Sequence, residues 1–297
     1  VAERSGIVWV YMGEAQDAPE LPQIAATLIA EEEAEISFVM RECNWLQALE
    51  GDIDTSHLEF LHYGAAGDGD FEPNDPTRFG VIHRDPEYQV EDSELGTFYG
   101  AYRPAEEGMT YWRIAHFLFP CWTLAPFRAF AHYRMARAWV PMDDTHTMFV
   151  MIRPKEGPSA TPPADNLLPN TSDWFGRWRC AQNFQNDYGI DRDSQRSESY
   201  TGVEGIHQQD QAVTESMGVI TDHSFEHLAP SDRMIITTRK RLLGAARALA
   251  EKGTPPPAST TPEAYAQVRA GFFLSPEERG WPEVYKLELD AVAGAQD

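Results

Sequence analysis

Two patterns of hydrophobicity divide this chain. Between residues 81 and 153, aromatic and β-branched side chains are dense, as half-buried strands require, predicting strands at 81–90, 96–103, 110–118, 120–125, 129–140 and 145–153. The last two are joined by PMDD at 141–144, good turn chemistry for an antiparallel hairpin. Shorter strand patterns lie at 5–12 and 36–40. Elsewhere the period is three to four. In the stretch 44–62, Leu46, Leu49, Ile53, His57 and Phe60 share one helix face, which places His57 toward the interior. Further helical patterns cover 172–187, 210–217 and 231–251, the last with Ser231 as candidate N-cap and a stripe of Ile235, Leu242, Ala246 and Leu249. A short helix is expected near 262–270, and Ser275-Pro276-Glu277-Glu278 reads as another helix start. Loop chemistry marks 64–80, 154–171 and the proline-rich 253–262. Strands gathered into one long antiparallel run with helices on either side predict an α+β domain, a curved sheet around a long helix with a deep apolar pocket between them.

Charge and cysteine usage narrow the class. The chain carries 47 acidic and 24 basic residues, a formal charge of −23, which repels nucleic acid and anionic membrane. No apolar run approaches the ~20 residues of a membrane span. Three cysteines, Cys43, Cys121 and Cys180, form neither a disulfide framework nor a zinc pattern, so a reducing cytoplasm is expected. The opening VAERSGIVWVYMG enters at once on strand residues without an initiator methionine, and reads as the tail of an upstream segment.

The chemistry gathers in the 44–62 stretch. Asp54, His57 and His62 put two imidazoles and a carboxylate within nine residues facing an interior. Two histidines plus one carboxylate, with open positions for dioxygen and substrate, make the facial triad of non-haem iron(II) oxygenases. Five positions apart in a regular helix, His57 and His62 point about 140° away from each other. For both to bind one ion the helix must end, widen or bend between them. A histidine on an apolar face is more commonly a hydrogen-bonded core residue, and for the third ligand Asp210, Glu215, Asp187, Asp191 and Asp222 serve equally by chemistry alone.

The string NW-x-Q-x-LEG-x-x-D-x-x-H-x-x-x-x-H at 44–62 resembles the iron-site helix of the Rieske-type aromatic-ring-hydroxylating oxygenases, in their phthalate dioxygenase-like branch. ERSGIVWVYMG at 3–13 and QDQAVTESMGVITDHSFEHLAPSD at 209–232 resemble the same branch. The resemblance implies a helix-grip (START-like) catalytic domain of a terminal oxygenase component, with iron(II) on His57, His62 and Asp210. It implies that Asp54 hydrogen-bonds a ligand histidine and reaches toward a neighbouring subunit's iron–sulfur domain, passing electrons. An asparagine common in the family four residues before that aspartate is Glu50 here, so this position receives no role. The family's Rieske [2Fe–2S] cluster needs C-x-H and C-x-x-H, and neither occurs in this chain. Residues 1–20 are therefore expected to be the tail of a preceding Rieske domain, and 21–297 the mononuclear-iron domain.

Further expectations follow from the resemblance: an aromatic substrate, in particular an aromatic acid, hydroxylated or cleaved at an ether or methyl group with dioxygen; a reductase or ferredoxin partner; and a homotrimer. Phe117, Phe119, Trp122, Phe127, Trp139 and Phe184 are candidates for the substrate pocket, and Arg128, Arg134 and Arg137 for holding a carboxylate. His207 and His223 are not expected to be ligands. The competing readings are a metal-free helix-grip carrier of an apolar small molecule and a metal-dependent hydrolase.

Overall fold

Eight strands and one long helix set the frame on which the site is built. The computed structural model describes residues 1–13, 18–54, 56–62, 72, 74–156, 161–256 and 261–294. In order the elements are β1 (Ala2–Arg4), β2 (Ile7–Trp9), β3 (Ala34–Arg41), α1 (Trp45–Ile53), α2 (His57–Leu61), α3 (Arg78–Ile82), β4 (Glu87–Asp92), β5 (Gly96–Pro104), β6 (Met109–Leu118), β7 (Trp122–Leu124), β8 (Ala136–Pro141), β9 (Thr147–Pro154), α4 (Arg192–Ser197), α5 (Ile206–Ser216), α6 (Arg233–Lys252), β10 (Gly271–Pro276) and α7 (Glu283–Gly294). Strands β3 to β10 make one antiparallel sheet in the order β3-β9-β8-β7-β6-β5-β4, with β10 laid along β6.

Successive side chains of a strand point to opposite faces, and here both faces are covered. On β6, Ala115 and Phe117 join the larger core, with Leu49 and Ile53 of α1 and Met234 of α6. Trp112 and Ile114 turn the other way, against Phe130, Phe273 and Val284. That double burial explains why β6 reads as a nearly unbroken apolar run. The helix that the sheet packs on is α6. Thr238 on its buried face meets Thr97 of β5 hydroxyl to hydroxyl at 2.6 Å, and Arg241 Nη2 donates to the Ser93 carbonyl at 2.7 Å. An antiparallel sheet against a long helix is the expected α+β, helix-grip arrangement.

Several local expectations change. The strand at 81–90 is a helix, α3, followed by β4. Phe79 packs in helical phase against Tyr111, and Pro86 precludes a strand across the whole segment. The opening strand is a hairpin, β1 and β2, turned at Ser5 and Gly6 with φ of 52° and 74°. The helix at 172–187 is absent. Its end is a 3-10 stretch, Phe184–Gly189, with Asp187 and Tyr188 in left-handed backbone. Ser231 lies in a 3-10 turn and α6 is capped at Asp232. The α6 stripe runs through Met234, Ile235, Thr238, Leu242 and Ala245, and leaves Ala246 and Leu249 exposed. The helix near 262–270 shrinks to a 3-10 turn, Pro262–Gln267. Ser275 and Pro276 end β10, where pairing with β6 and the bond from Trp112 Nε1 to Ser275 Oγ at 3.0 Å override the helix-start pattern. Most of the 64–80 loop and part of the 253–262 linker lie outside the described residues.

One ionic knot ties α1 to α6. Arg239 forks onto both oxygens of Glu50, with Nη2 to Oε2 at 2.7 Å, and onto Glu226 at 2.6 and 2.7 Å. The bonds from Arg239 hold the Glu226 carboxyl at about 2, against an ordinary 4.5. A depressed carboxylate contributes stability above its unfolded value and loses it as pH falls toward the folded one. Arg239→Ala leaves Glu50 without its cation and is expected to cost about 2–4 kcal/mol at neutral pH. The wild type should also lose stability more steeply than the variant between pH 4.5 and about 2, read from urea midpoints across that range.

Candidate metal centre and its cavity

The site begins with a helix that stops early. The Asn44 side chain caps α1 by accepting from Leu46 N at 3.0 Å, and Ala48, Leu49 and Ile53 bury its inner face. Its other side lies against α5. A Cβ on Gly51 would stand 3.2 Å from Thr214 Cγ2, so the two helices approach to a distance that a larger residue would widen. Gln47 closes the junction. Its Nε2 donates to the Thr214 and Gly218 carbonyls at 2.9 and 2.7 Å, while its Oε1 accepts from Thr221 N at 2.9 Å. These bonds satisfy carbonyls at the end of α5 and fix one helix against the other.

Asp54 leaves the helix with extended backbone, φ −69° and ψ 124°. Its carboxylate then accepts from Ser56 N at 2.8 Å and His57 N at 3.2 Å, which starts α2 at His57. Five residues on, His62 is already the cap, at φ −91° and ψ 14°. The interruption thus lies before His57, with a second ending at His62, where the sequence pattern required only an interruption between the two. The rings stand edge to face, 5.2 Å apart. The same break turns Phe60 off the apolar stripe, and it is 61% exposed.

Asp210 arrives from α5, which starts at Gly205 with φ 91°. A side chain there would strike Gln208, so glycine is required twice over. Asp210 Oδ1 lies 3.6 Å from His57 Nε2 and 3.2 Å from His62 Nε2, and the donor atoms of the three residues fall within 4.8 Å of one another. The opposite ring nitrogens are engaged. His57 Nδ1 is 2.9 Å from the Asp54 carbonyl, and His62 Nδ1 is 2.7 Å from Gln209 Oε1. Gln209 Nε2 donates to the Val203 carbonyl at 2.8 Å, which settles the orientation of that amide. A carbonyl oxygen can only accept, so each Nδ1 carries a proton, and in the neutral ring each Nε2 is the nitrogen left to ligate. Burial opposes charge on Asp210 and His62 alike. The hydrogen bond and opposite charge each offers the other prevail, holding the Asp210 carboxyl at about 2 and raising His62. Three converging donors, two neutral nitrogens and one carboxylate, suit a divalent transition metal.

They open onto a cavity of about 320 Å³ between α2, α3, β5 and the β7–β8 connection. Two ion pairs are built into its wall, Arg137 with Asp52 and Arg103 with Glu59. Burial pushes the Glu59 carboxyl up and Arg103 down, against their mutual attraction. Arg113 of β6 also lines the cavity, and among the described residues it makes neither an ion pair nor a hydrogen bond.

Of the aromatic residues expected in the pocket, Phe127 lines the cavity. Phe117, Phe119, Trp122 and Trp139 are at most 6% exposed and belong to the core, in one cluster with Leu49 and Ile53 of α1. Phe184 is 71% exposed on its 3-10 turn. Of the arginines, Arg137 reaches the cavity but is spent on Asp52; Arg128 donates to the Glu156 carbonyl and Arg134 stands in solvent near Glu33. The other carboxylates have other work. Glu215 accepts from Glu42 N and Tyr188 Oη, Asp191 and Asp222 cap turns, and Asp187 sits in the 3-10 stretch. His207 is buried beside Phe149 and His223 pairs with Glu226. Gln209 and Arg113 were not anticipated. The signal for Arg113 was its place in the two-residue alternation of β6, sharing a face with Tyr111 and Ala115.

Comparison with known proteins gives a consistent picture. The family model described as "LigXa C-terminal domain like" matches residues 10–282. The oxygenase subunit of 3-chlorobenzoate-3,4-dioxygenase from Comamonas testosteroni is 42% identical over 98% of this chain and 71% of its own length. The oxygenase subunit of phthalate 4,5-dioxygenase from Pseudomonas putida is 31% identical over 82% of this chain, which spans 57% of that relative. Among solved structures, Pseudomonas putida CBB5 NdmA aligns over 94% of this chain and 67% of its own, at 13% identity and a TM-score of 0.42. With a family model over most of its length and a relative at 42% identity, the chain belongs to the LigXa C-terminal domain-like family, within the oxygenase subunits of the Rieske non-haem iron oxygenases.

Proposed function

We propose that this chain is the catalytic part of an oxygenase that uses dioxygen and supplied electrons to hydroxylate, or to demethylate or cleave at an ether, an aromatic acid. The observation that carries the reading is the convergence of His57 Nε2, His62 Nε2 and Asp210 Oδ1 on the wall of a cavity that also holds Arg113, which makes no ion pair among the described residues. The donor set fits the mononuclear iron that the family implies, since both imidazoles present an unprotonated nitrogen and the third donor is anionic. Bound ferrous iron supplies the activation of dioxygen. The chain does the rest. Asp54 and Gln209 hold the two rings in the tautomer that can ligate. The cavity wall, with Asp52 and Glu59 paired to Arg137 and Arg103, keeps bulk water from the reacting ring. Arg113 receives the carboxylate of the substrate.

The names of the two relatives, a chlorobenzoate and a phthalate dioxygenase, support an aromatic carboxylate as ligand and speak against a metal-free carrier. Electrons enter on the side of Asp54, whose side chain is 23% exposed. They come from a [2Fe–2S] cluster held by residues outside these 297, which contain no C-x-H or C-x-x-H; the cluster sits on a neighbouring subunit of a homotrimer and is replenished by a reductase or ferredoxin.

Anaerobic loading with iron(II) tests the centre. His62→Ala and Asp210→Ala are each expected to abolish stoichiometric uptake, and unchanged occupancy in both removes the assignment. Gln209→Leu frees the proton on His62 Nδ1 and is expected to weaken iron(II) binding ~10–100-fold without unfolding the chain. Arg113→Gln should raise KM for a benzoate-type acid about 10–100-fold with a smaller change in kcat, as loss of a charge-assisted contact does. Oxygen uptake by the cluster-bearing oxygenase with its reductase and a series of benzoates reads both numbers, and an unaltered KM discards Arg113 as the carboxylate's partner.

A further inference from the structure

Beside the metal cavity lies a second of about 870 Å³, walled by edge strand β3, the 161–167 segment, Trp178 and the first residues of α5. Among the described residues, only Phe127 and Ile206 line both. They stand where the two spaces meet. The Phe127 ring lies under the Arg137 guanidinium, 4.4 Å from its centroid, and Arg137 is anchored to Asp52, so the ring is held from one side by a fixed cation. Ile206 is the first residue of α5, one turn ahead of Asp210 and on the same helix face. It is 40% exposed, which follows from having open space on both sides.

At about 320 Å³ the metal cavity is at the small end of ligand sites, which run from about 300 to 1,000 Å³. Part of the lining of the larger space is apolar, through Met135, Leu167 and the Phe38–Trp178 ring pair at 5.0 Å. We propose that Phe127 and Ile206 form a partition that sets the length of the ligand. With both in place the site takes a one-ring acid. Trimming either joins the cavities, and a two-ring acid then fits with its second ring against Phe38, Met135, Leu167 and Trp178. The choice of acids as ligands rests on the function proposed above.

Equilibrium titrations of the iron(II)-loaded protein under nitrogen, with benzoate and biphenyl-4-carboxylate as probes, decide the matter for wild type, Phe127→Ala and Ile206→Ala. The readout is the ratio of the two affinities, which a partly unfolded sample does not alter. It is expected to shift toward the two-ring acid by about tenfold or more in Phe127→Ala, the gain from burying one additional ring, and in the same direction in Ile206→Ala. A ratio that stays within about twofold of wild type in both variants, less than the ring's burial predicts, overturns the partition. The two readings fail separately. Wild type that binds neither acid removes the aromatic-acid function and with it the stated ligands. Wild type that binds benzoate while the ratio stays put in both variants removes the partition alone.

Discussion

One aspartate sets the course of the segment that carries both candidate metal-binding histidines. Asp54 ends α1 by taking extended backbone, begins α2 by accepting two amide hydrogens on its carboxylate, and receives His57 Nδ1–H on its carbonyl. Both histidines come after this break, His57 as the first residue of α2 and His62 as its cap at φ −91° and ψ 14°. The ending at His62 takes that residue out of helical phase with His57, while the break at Asp54 sets the course of the short helix that carries both. The distance of the two Nε2 atoms from Asp210 therefore depends on the break. Its own anchor is the packing of α1 on α5 through Gly51 and the amide of Gln47.

Charge in the interior follows a second rule, that an unpaired ion far from water is costly. Asp52 is matched by Arg137, Glu59 by Arg103, and Glu50 and Glu226 share Arg239. Against that background two residues stand out. Among the described residues, the ion-pair contacts of Asp210 are with two imidazoles, and Arg113 makes neither an ion pair nor a hydrogen bond. One is an anion awaiting a cation and the other a cation awaiting an anion, and they line one cavity.

Much of this was legible in the residues, for identifiable reasons. Strands β5, β6 and β9 are runs of aromatic and β-branched residues long enough to outvote local noise, and α6 carries the helical period over twenty residues. Short segments failed where tertiary contacts chose the conformation. Val81 and Ile82 suit a strand as well as a helix, and Phe272 and Phe273 become a strand only because β6 offers a partner. The two histidines could be singled out because they share a short motif. The third donor could not be chosen from Asp210, Glu215, Asp187, Asp191 and Asp222 by chemistry, since their separation in space is a property of the fold. The aromatic residues misled for a related reason: strand periodicity tells which residues share a face, and not whether that face meets a core or a void.

His62 and the Gln209 that orients it are 147 positions apart along the chain, and they meet only through the α1–α5 junction. No short fragment can assemble the three donors, so affinity for a divalent ion becomes a gauge of tertiary order. By mass action, whatever binds there lends its free energy to the folded state alone, and draws the two distant ends of the structure together. Loosening Gln47, which touches neither donor nor ligand, therefore weakens ion capture, while ion in excess masks the damage.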